Sequence, residues 1–341
     1  MRDLFRRGKD STPEYVGYSN NIRTGIRANN FVISLSPCAD ELAVKIARTD
    51  TLFTVIEYSN EIADALPSIV SHPNTASAFL LSYGCEVKSS REFAVELRGL
   101  NPNIEFLELE NGNLSEFAMT MGPAVMQELK FQASPGLENI ELPLIAVIAP
   151  KRDEKIAAVL QVLREAKIEV REIFASTNQR TALVEAAKSG ALAIVNFTDG
   201  NDYPSGTYIS PIINVASNSD FHQSIAADFD LGVGATPQEI LLRVQETIGR
   251  SPTASEVARS FEPFGTLPET SEKLRVLHPV LNNFAKDLAQ NYSISSAKIA
   301  IGTGSESDEI AQCASEGYEI FTVADHGSLF GLAEALTKRL Q

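Results

Sequence analysis

The 341-residue sequence lacks the features that mark several large protein classes. Its three cysteines, Cys38, Cys85 and Cys313, are too few to form a disulfide framework in a chain of this length. It also contains no apolar run of about 18 residues, the length that a membrane-spanning helix needs. We therefore expect a cytoplasmic protein with no membrane partner.

Basic residues are also scarce. The 29 Lys and Arg residues are outnumbered by 44 Asp and Glu residues, which gives a net charge of −15. Because nucleic acids and acidic membranes bind basic surfaces, we expect neither as a partner. The exception is residues 1–14, which have no apolar stretch of the kind found in a secretory signal. We interpret this segment as a flexible basic tail, with Arg2, Arg6, Arg7 and Lys9.

Recognisable nucleotide and metal motifs are missing as well. The glycine-rich turn Gly302–Ser307 has serine where a dinucleotide fingerprint has its third glycine, and no P-loop lysine follows. We therefore expect no nucleotide cofactor. No paired C-x-x-C or H-x-x-x-H spacing occurs, so spacing alone indicates no metal site.

What the sequence does have is an alternation of apolar, strand-like runs with amphipathic, helix-like segments. This alternation predicts an α/β fold with mostly parallel sheets, helices on both faces and a Rossmann-like variant. Among the predicted strands are Phe31–Leu35, Ala78–Tyr83, Leu144–Ala149, Glu169–Phe174 and Ala191–Phe197; among the predicted helices are Cys38–Arg48, Glu154–Ala166 and a helix opened by the capping box at Thr236.

The chain is long enough for two domains. The turn-rich segment Ala133–Pro143 is the best linker candidate. We therefore predict an N-terminal α/β domain at residues 15–135 and a C-terminal Rossmann-like domain at residues 136–341. A mostly polar helical region, Ala254–Gln290, is predicted to interrupt the alternation in the second domain.

The segment His72–Glu86 is the strongest candidate for chemistry. Cys85 and Glu86 follow a predicted buried strand, and a thiolate and a carboxylate can ligate a divalent metal or transfer protons. His72 could add an imidazole, or it could simply end a turn, while Glu86 could cap the next helix. Cys38 follows another predicted strand, where it is either a reactive thiol or a small core residue.

Two groups of motifs extend this picture. The first runs from Gly17-Tyr18 through Arg23-Thr-Gly-Ile-Arg27 and Cys38 to His72-Pro-Asn74 and Gly84-Cys-Glu86; the second comprises Ile209–Asn218 and Ala227–Gly234. Together they resemble the C-terminal catalytic part of the altronate/galactarate dehydratase family of sugar-acid hydro-lyases, without that family's small N-terminal β domain.

The resemblance implies β-elimination of water from an aldonate or aldarate, giving a 2-keto-3-deoxy acid with the help of Fe²⁺ or Mn²⁺. It implies a small anionic sugar acid as the partner, and we expect a homodimer. The implied site residues are Cys85, Glu86 and His72 for catalysis, Arg23, Arg27 and Asn74 for substrate binding, and Cys38, Cys85 and Glu86 for the metal.

Several motifs of the family are replaced. A T-H-x-x-G-C-G motif is missing between Cys38 and His72, and Ile148–Asp153 stands where the family has E-C-G-G-S-D. These changes favour an alternative, a catalytically eroded relative that binds an anionic metabolite or serves as a partner subunit. A third possibility is an altered hydroxy acid that carries a sulfo or phospho group, because Lys151 and Arg152 replace a Gly-Gly pair.

Overall fold

The computed structural model describes residues 14–19, 23–58, 60–83, 90–109, 115–132, 136–174, 179–198, 200, 204–258, 274–278, 281 and 298–340. Over these residues the predicted α/β class with mostly parallel sheets is confirmed. The strands are β1 (Tyr15–Ser19), β2 (Thr24–Gly25), β3 (Asn29–Ser34), β4 (Phe53–Ile56), β5 (Thr75–Ser82), β6 (Ile104–Glu108), β7 (Gly136–Ile140), β8 (Leu144–Ala149), β9 (Glu169–Phe174), β10 (Ala193–Phe197), β11 (Ile212–Val215), β12 (Leu274–Val276), β13 (Ile299–Gly302) and β14 (Glu319–Thr322).

The helices alternate with these strands over much of the chain. They are α1 (Asp40–Ala47), α2 (Asn60–Val70), α3 (Ser90–Leu100), α4 (Ser115–Gln132), α5 (Glu154–Glu165), α6 (Gln179–Lys188), α7 (Ser219–Ser224), α8 (Pro237–Ile248), α9 (Ala254–Ala258), α10 (Ser307–Ser315), α11 (Val323–His326) and α12 (Leu329–Leu340). None of the helices in the described part of the chain is long and apolar enough to cross a membrane.

The first parallel sheet has the strand order β4-β3-β5-β6. The residues of β3 alternate between its two faces, so that Val32 packs with α1 and α4 while Phe31 and Ile33 pack with α2 and α3. All eight residues of β5 are buried, which explains its almost continuous run of small and apolar side chains. The helices that follow β3 and β5 therefore lie on opposite faces of the sheet.

The second parallel sheet repeats this arrangement, with the order β9-β8-β10-β11. Helices α5 and α8 pack on one face through residues such as Leu160 and Val244, and α6 packs on the other through Leu183. Helix α8 begins with the predicted capping box, in which the Thr236 side chain and Glu239 satisfy each other's backbone N–H groups.

A small antiparallel sheet, β2-β1-β7, corrects the linker prediction. Residues 136–140 form β7 and pair with β1, with Tyr15 opposite Ile140. Tyr15 and Ile140 also pack against the core of the second sheet. Backbone pairing with β1, with Ile140 as the apolar contact, therefore makes this largely exposed segment a strand, although its turn residues suggest a linker. The two-domain division and the Rossmann-like variant stay predictions.

The predicted helical region Ala254–Gln290 is also corrected. Helix α9 ends at Ala258, and Leu274–Val276 is a strand of a third parallel sheet with the order β12-β13-β14. Leu274 is buried in the core of that sheet, and this burial favours a strand over the weak helical pattern. Most of the rest of this region lies outside the described residues.

Candidate functional site

Polar side chains are buried where the amino ends of the two parallel sheets meet. His72 and Asn74 precede β5, Ser210 precedes β11, and each is at most 1% exposed. We call these three residues the amino-edge cluster. Because Asn74 Nδ2 donates to the Leu192 and Ile209 carbonyls and His72 Nε2 lies beside Ser210 Oγ, the cluster is part of the contact between the sheets.

The Asn74 side-chain amide uses its full hydrogen-bonding capacity. Its Oδ1 accepts the backbone N–H groups of Ile26 at 2.8 Å and Arg27 at 3.2 Å. Its Nδ2 donates to the carbonyls of Leu192 at 2.9 Å and Ile209 at 3.1 Å. Two accepted and two donated bonds saturate a primary amide, so this side chain is fully engaged within the protein.

The His72 ring is held in one neutral form. Its Nδ1 accepts the backbone N–H of Asn74 at 3.0 Å, which assigns the proton to Nε2, and Nε2 lies 3.3 Å from Ser210 Oγ. Burial lowers the pKa of His72 to about 3, and the charge of Arg23 acts in the same direction, while a hydrogen bond to the Ala191 carbonyl opposes them. His72 is therefore neutral at pH 7.

The Arg27 guanidinium, like the Asn74 amide, makes all of its hydrogen bonds within the protein. Its Nε and Nη2 form a two-pronged pair with the Glu256 carboxylate, at 2.7 and 2.8 Å. The remaining N–H groups donate to backbone carbonyls, those of Ile26, Thr247 and Ser251. All five guanidinium N–H groups are thus used. Burial tends to raise the pKa of Glu256, but the bonds and charge of Arg27 outweigh burial and lower it.

Arg23 lies at the same edge but is exposed. Its Nη1 lies beside Gly190, which follows α6. It contributes to the low pKa of His72 through its charge. Of the three predicted substrate-binding residues it is the most exposed, since Asn74 is buried and the Arg27 side chain is 14% exposed.

The opposite edge of the first sheet has a different geometry. Strands β3 and β5 are parallel neighbours, and the Leu35 N–H donates to the Leu81 carbonyl at 2.8 Å just past the end of β3. After β3 the chain passes through a short 3₁₀ turn, Pro37–Ala39, to α1 on one face, whereas the helix after β5 is on the other face. Diverging connections of this kind open a crevice at the carboxyl ends of the strands, where ligands bind in many α/β proteins.

Hydroxyl and carboxylate groups line this carboxyl edge. The Ser34 hydroxyl donates to the Asp40 carboxylate, and the Tyr58 N–H donates to both. The Ser36 hydroxyl is buried, with the residue 2% exposed, and has no hydrogen-bond partner among the described residues. Leaving a buried hydroxyl unbonded costs about 1–3 kcal/mol. Two positions later, Cys38 is exposed.

The predicted site residues are not all brought together. Cys85 and Glu86 lie outside the described residues and follow the carboxyl end of β5 in the sequence. His72 and Asn74 precede its amino end, and the eight residues of β5 span about 23 Å. The acid–base role predicted for His72, and the substrate-binding roles predicted for Arg27 and Asn74, therefore find no support in this geometry.

The metal prediction depends on residues beyond the described part of the chain. No group of three His, Cys, Asp or Glu side chains in the described residues could hold a metal ion. Cys38 is the one predicted ligand that the structure describes, and it lies at the carboxyl edge. The described side chains alone therefore do not fit a divalent metal.

Sequence reasoning missed the hydroxyl groups of Ser34 and Ser36. The signal that could have found them is their alternation at the carboxyl end of a predicted strand, Ser34-Leu-Ser36-Pro-Cys38. The sequence also indicates that His72 and Cys85 lie apart, because they flank the two ends of one predicted strand.

No protein-family model matches the chain, and no curated protein matches it either. The resemblance to sugar-acid dehydratases therefore rests on the motifs alone.

We predict that Asn74→Asp destabilises the protein by about 3 kcal/mol. The aspartate keeps the shape of the side chain but places an oxygen against the Leu192 and Ile209 carbonyls, where the amide donates. Chemical denaturation monitored by circular dichroism measures this loss. Asn139→Asp, at an exposed position on β7, is the matched control and leaves the stability unchanged within about 0.5 kcal/mol.

We also predict that His72 makes stability fall in acid. The unfolded state gains a proton below about pH 6.5, whereas folded His72 resists protonation down to about pH 3. The free energy of unfolding therefore drops by about 1.4 kcal/mol per pH unit within this window because of this residue alone.

Urea denaturation at several pH values from 7.5 to 4.5 measures the effect. His72→Gln should have a smaller pH slope than the wild type, while Ser315→Ala, which removes no titratable group at an exposed position, should keep the wild-type slope. Equal slopes for wild type and His72→Gln would show that His72 is not held neutral.

Proposed function

We propose that the chain binds a small hydroxylated acid of the sugar-acid class in the crevice between the carboxyl ends of β3 and β5. The observation that carries this proposal is the buried, unbonded hydroxyl of Ser36 at the point where the connections after β3 and β5 diverge. A ligand hydroxyl or carboxylate in the crevice would complete the hydrogen bonding of Ser36.

Two helix starts and one arginine at this edge can bind an anion, against the charges of Asp40, Glu41 and Glu92 in the same helix turns. Helices α1 and α3 both begin here, and the exposed N–H groups of a helix start attract negative charge. Arg91 lies in the first turn of α3 with a 78% exposed side chain, 3.7 Å from the Glu108 carboxylate. A ligand carboxylate can reach Arg91, and Asp40 offers an acceptor for ligand hydroxyl groups.

Dehydration of the bound acid is the second candidate function. It is favoured by the neighbouring positions of β3 and β5, because Cys38 follows one strand and the Gly84-Cys85-Glu86 motif follows the other. In this reaction a base takes the proton α to the carboxylate, an acid protonates the leaving β-hydroxyl, and water departs. The resulting enol gives the 2-keto-3-deoxy acid. We assign the proton transfers to Cys85 and Glu86, and we assign no step to a metal.

Binding is tested by calorimetric titration of the full chain with galactarate, altronate and gluconate. We expect at least one acid to bind, and we expect Ser36→Ala to weaken that binding about five- to tenfold. Without ligand, Ser36→Ala should be at least as stable as the wild type, because it removes a buried hydroxyl that has no partner. Ser315→Ala, at an exposed position on α10, is the control.

If none of these acids binds at millimolar concentration, the binding proposal fails. It also fails if an acid binds equally well to Ser36→Ala and the wild type.

Dehydration is tested separately, by assaying keto-deoxy product under reducing conditions with added Fe²⁺ or Mn²⁺. Turnover by the wild type that is lost in Cys85→Ser and in Glu86→Gln supports it. An acid that binds tightly but yields no product leaves the protein as a binding module and rules out the dehydration of that acid.

A further inference from the structure

An exposed thiol lies in the same turn as the unbonded Ser36 hydroxyl. Cys38 belongs to the 3₁₀ turn that follows β3, and Ser36 is the residue that begins this turn. Because consecutive Cα atoms are about 3.8 Å apart, the Cα atoms of Ser36 and Cys38 lie at most about 7.6 Å from each other. Cys38 is exposed and is not part of a disulfide among the described residues. A group joined to its sulfur is therefore within reach of Ser36.

The turn is fixed from beneath, so that its outer side carries the thiol. The Ala39 N–H donates to the Ser36 carbonyl at 2.9 Å, and the Asp40 N–H donates to the Pro37 carbonyl. Ala39 is fully buried and packs in the core beside α1. With Ser36 and Ala39 both buried, the turn exposes Pro37 and Cys38 to solvent. Cys38 therefore lies at the mouth of the crevice and not in the core.

The other described cysteine has the opposite environment. Cys313, on α10, is 1% exposed, and its sulfur accepts an N–H of Arg275 at 3.4 Å. Thiol–disulfide exchange requires direct contact between the attacking sulfur and the disulfide, so it depends on access as well as on the thiolate. Of the two cysteines that the structure describes, Cys38 is the one that a dissolved disulfide can reach.

An exposed cysteine alone indicates no site, but polar groups of the proposed ligand site flank Cys38 on both sides. Ser36 is 2% exposed, and its hydroxyl has no hydrogen-bond partner among the described residues. Two residues after Cys38, the Asp40 carboxylate accepts the Ser34 hydroxyl and the Tyr58 N–H. A substituent on the Cys38 sulfur therefore lies where the ligand would meet these groups.

We propose that Cys38 is a thiol-modification site that regulates ligand binding in this crevice, and that its reagent is a low-molecular-weight disulfide of the glutathione type. The inference rests on the proposed sugar-acid site. Cys38 loses its proton to solvent, and the thiolate attacks one sulfur of the disulfide. A new S–S bond forms to Cys38 as the bond between the two glutathione sulfurs breaks. Cys38 is oxidised, and the second glutathione leaves as the reduced thiolate.

The attached tripeptide has the size and the charge to exclude a sugar acid. Three residues span up to about 10 Å, which exceeds the largest possible separation of the Ser36 and Cys38 Cα atoms. Glutathione has two carboxylates and one ammonium group at neutral pH, so it adds one net negative charge to the crevice. Its volume and its charge therefore both oppose the entry of an anionic ligand.

Calorimetric titration of the full chain before and after treatment with oxidised glutathione tests the proposal. The probe is whichever of galactarate, altronate and gluconate binds the untreated protein most tightly, and peptide mapping by mass spectrometry locates the attached glutathione. We expect glutathione on Cys38 and about tenfold weaker binding of the acid by the modified wild type. Dithiothreitol, which reduces the mixed disulfide, should restore the original affinity.

Two comparisons assign the effect to Cys38. Treatment should not change the affinity of Cys38→Ser, whatever that affinity is, because the attacking sulfur is absent. In the wild type, a saturating concentration of the acid should slow the modification of Cys38 about fivefold, because two occupants that exclude each other do so reciprocally. This second comparison needs no variant, so it decides even if Cys38→Ser does not fold.

The proposal is overturned if glutathione does not attach to Cys38, if dithiothreitol does not restore binding, or if the acid leaves the rate of modification unchanged. It is also overturned if treatment weakens binding equally in Cys38→Ser. An untreated wild type that binds none of the three acids overturns the proposed site itself. An acid that binds the untreated and the modified wild type equally well overturns only the regulation by Cys38.

Discussion

Four hydrogen bonds from the buried Asn74 amide hold the two parallel sheets together at their amino ends. Together with the packing of Ala187 and Ile209 against the core of the first sheet, this contact sets the arrangement of both sheets. Because the amino ends meet, each sheet turns its carboxyl edge, where α/β proteins bind ligands, away from the other. The fold therefore presents two separate carboxyl edges. His72 stabilises the same contact, since its Nδ1 accepts the Asn74 backbone N–H.

Burial decides what the motif residues do. A histidine, an asparagine and an arginine are typical of sugar-acid chemistry when they face a substrate. Here His72 and Asn74 are buried, and Arg27 is saturated by Glu256 and backbone carbonyls. Their polar groups satisfy other buried polar groups, a strong requirement for stability that needs no ligand. Among the described residues of the first group of motifs, Cys38 lies at a carboxyl edge, where the hydroxyl groups of Ser34 and Ser36 and the Asp40 carboxylate also lie.

The sequence predicts local structure better than it predicts which residues meet. Leu144–Ala149 and Glu169–Phe174 are strands with the predicted bounds, because each is a short β-favouring run between clear helix and turn signals. Helix α2 is not predicted from the sequence, because Pro67 lies inside it and proline disfavours a helix interior. The role of His72 depends on Ala191 and Ser210, more than a hundred residues away, and no local pattern contains that contact. Strand order also depends on contacts between distant parts of the chain. The sequence alone therefore does not predict that β3 and β5 are neighbours.

The most direct test of the account is a crystal structure of the protein grown with galactarate. The account predicts density for the acid between the carboxyl ends of β3 and β5, within hydrogen-bond distance of Ser36 Oγ, with the Asn74 amide still bonded to Leu192 and Ile209. Density for the acid against His72 and Asn74, with that amide turned away from the two carbonyls, would contradict it.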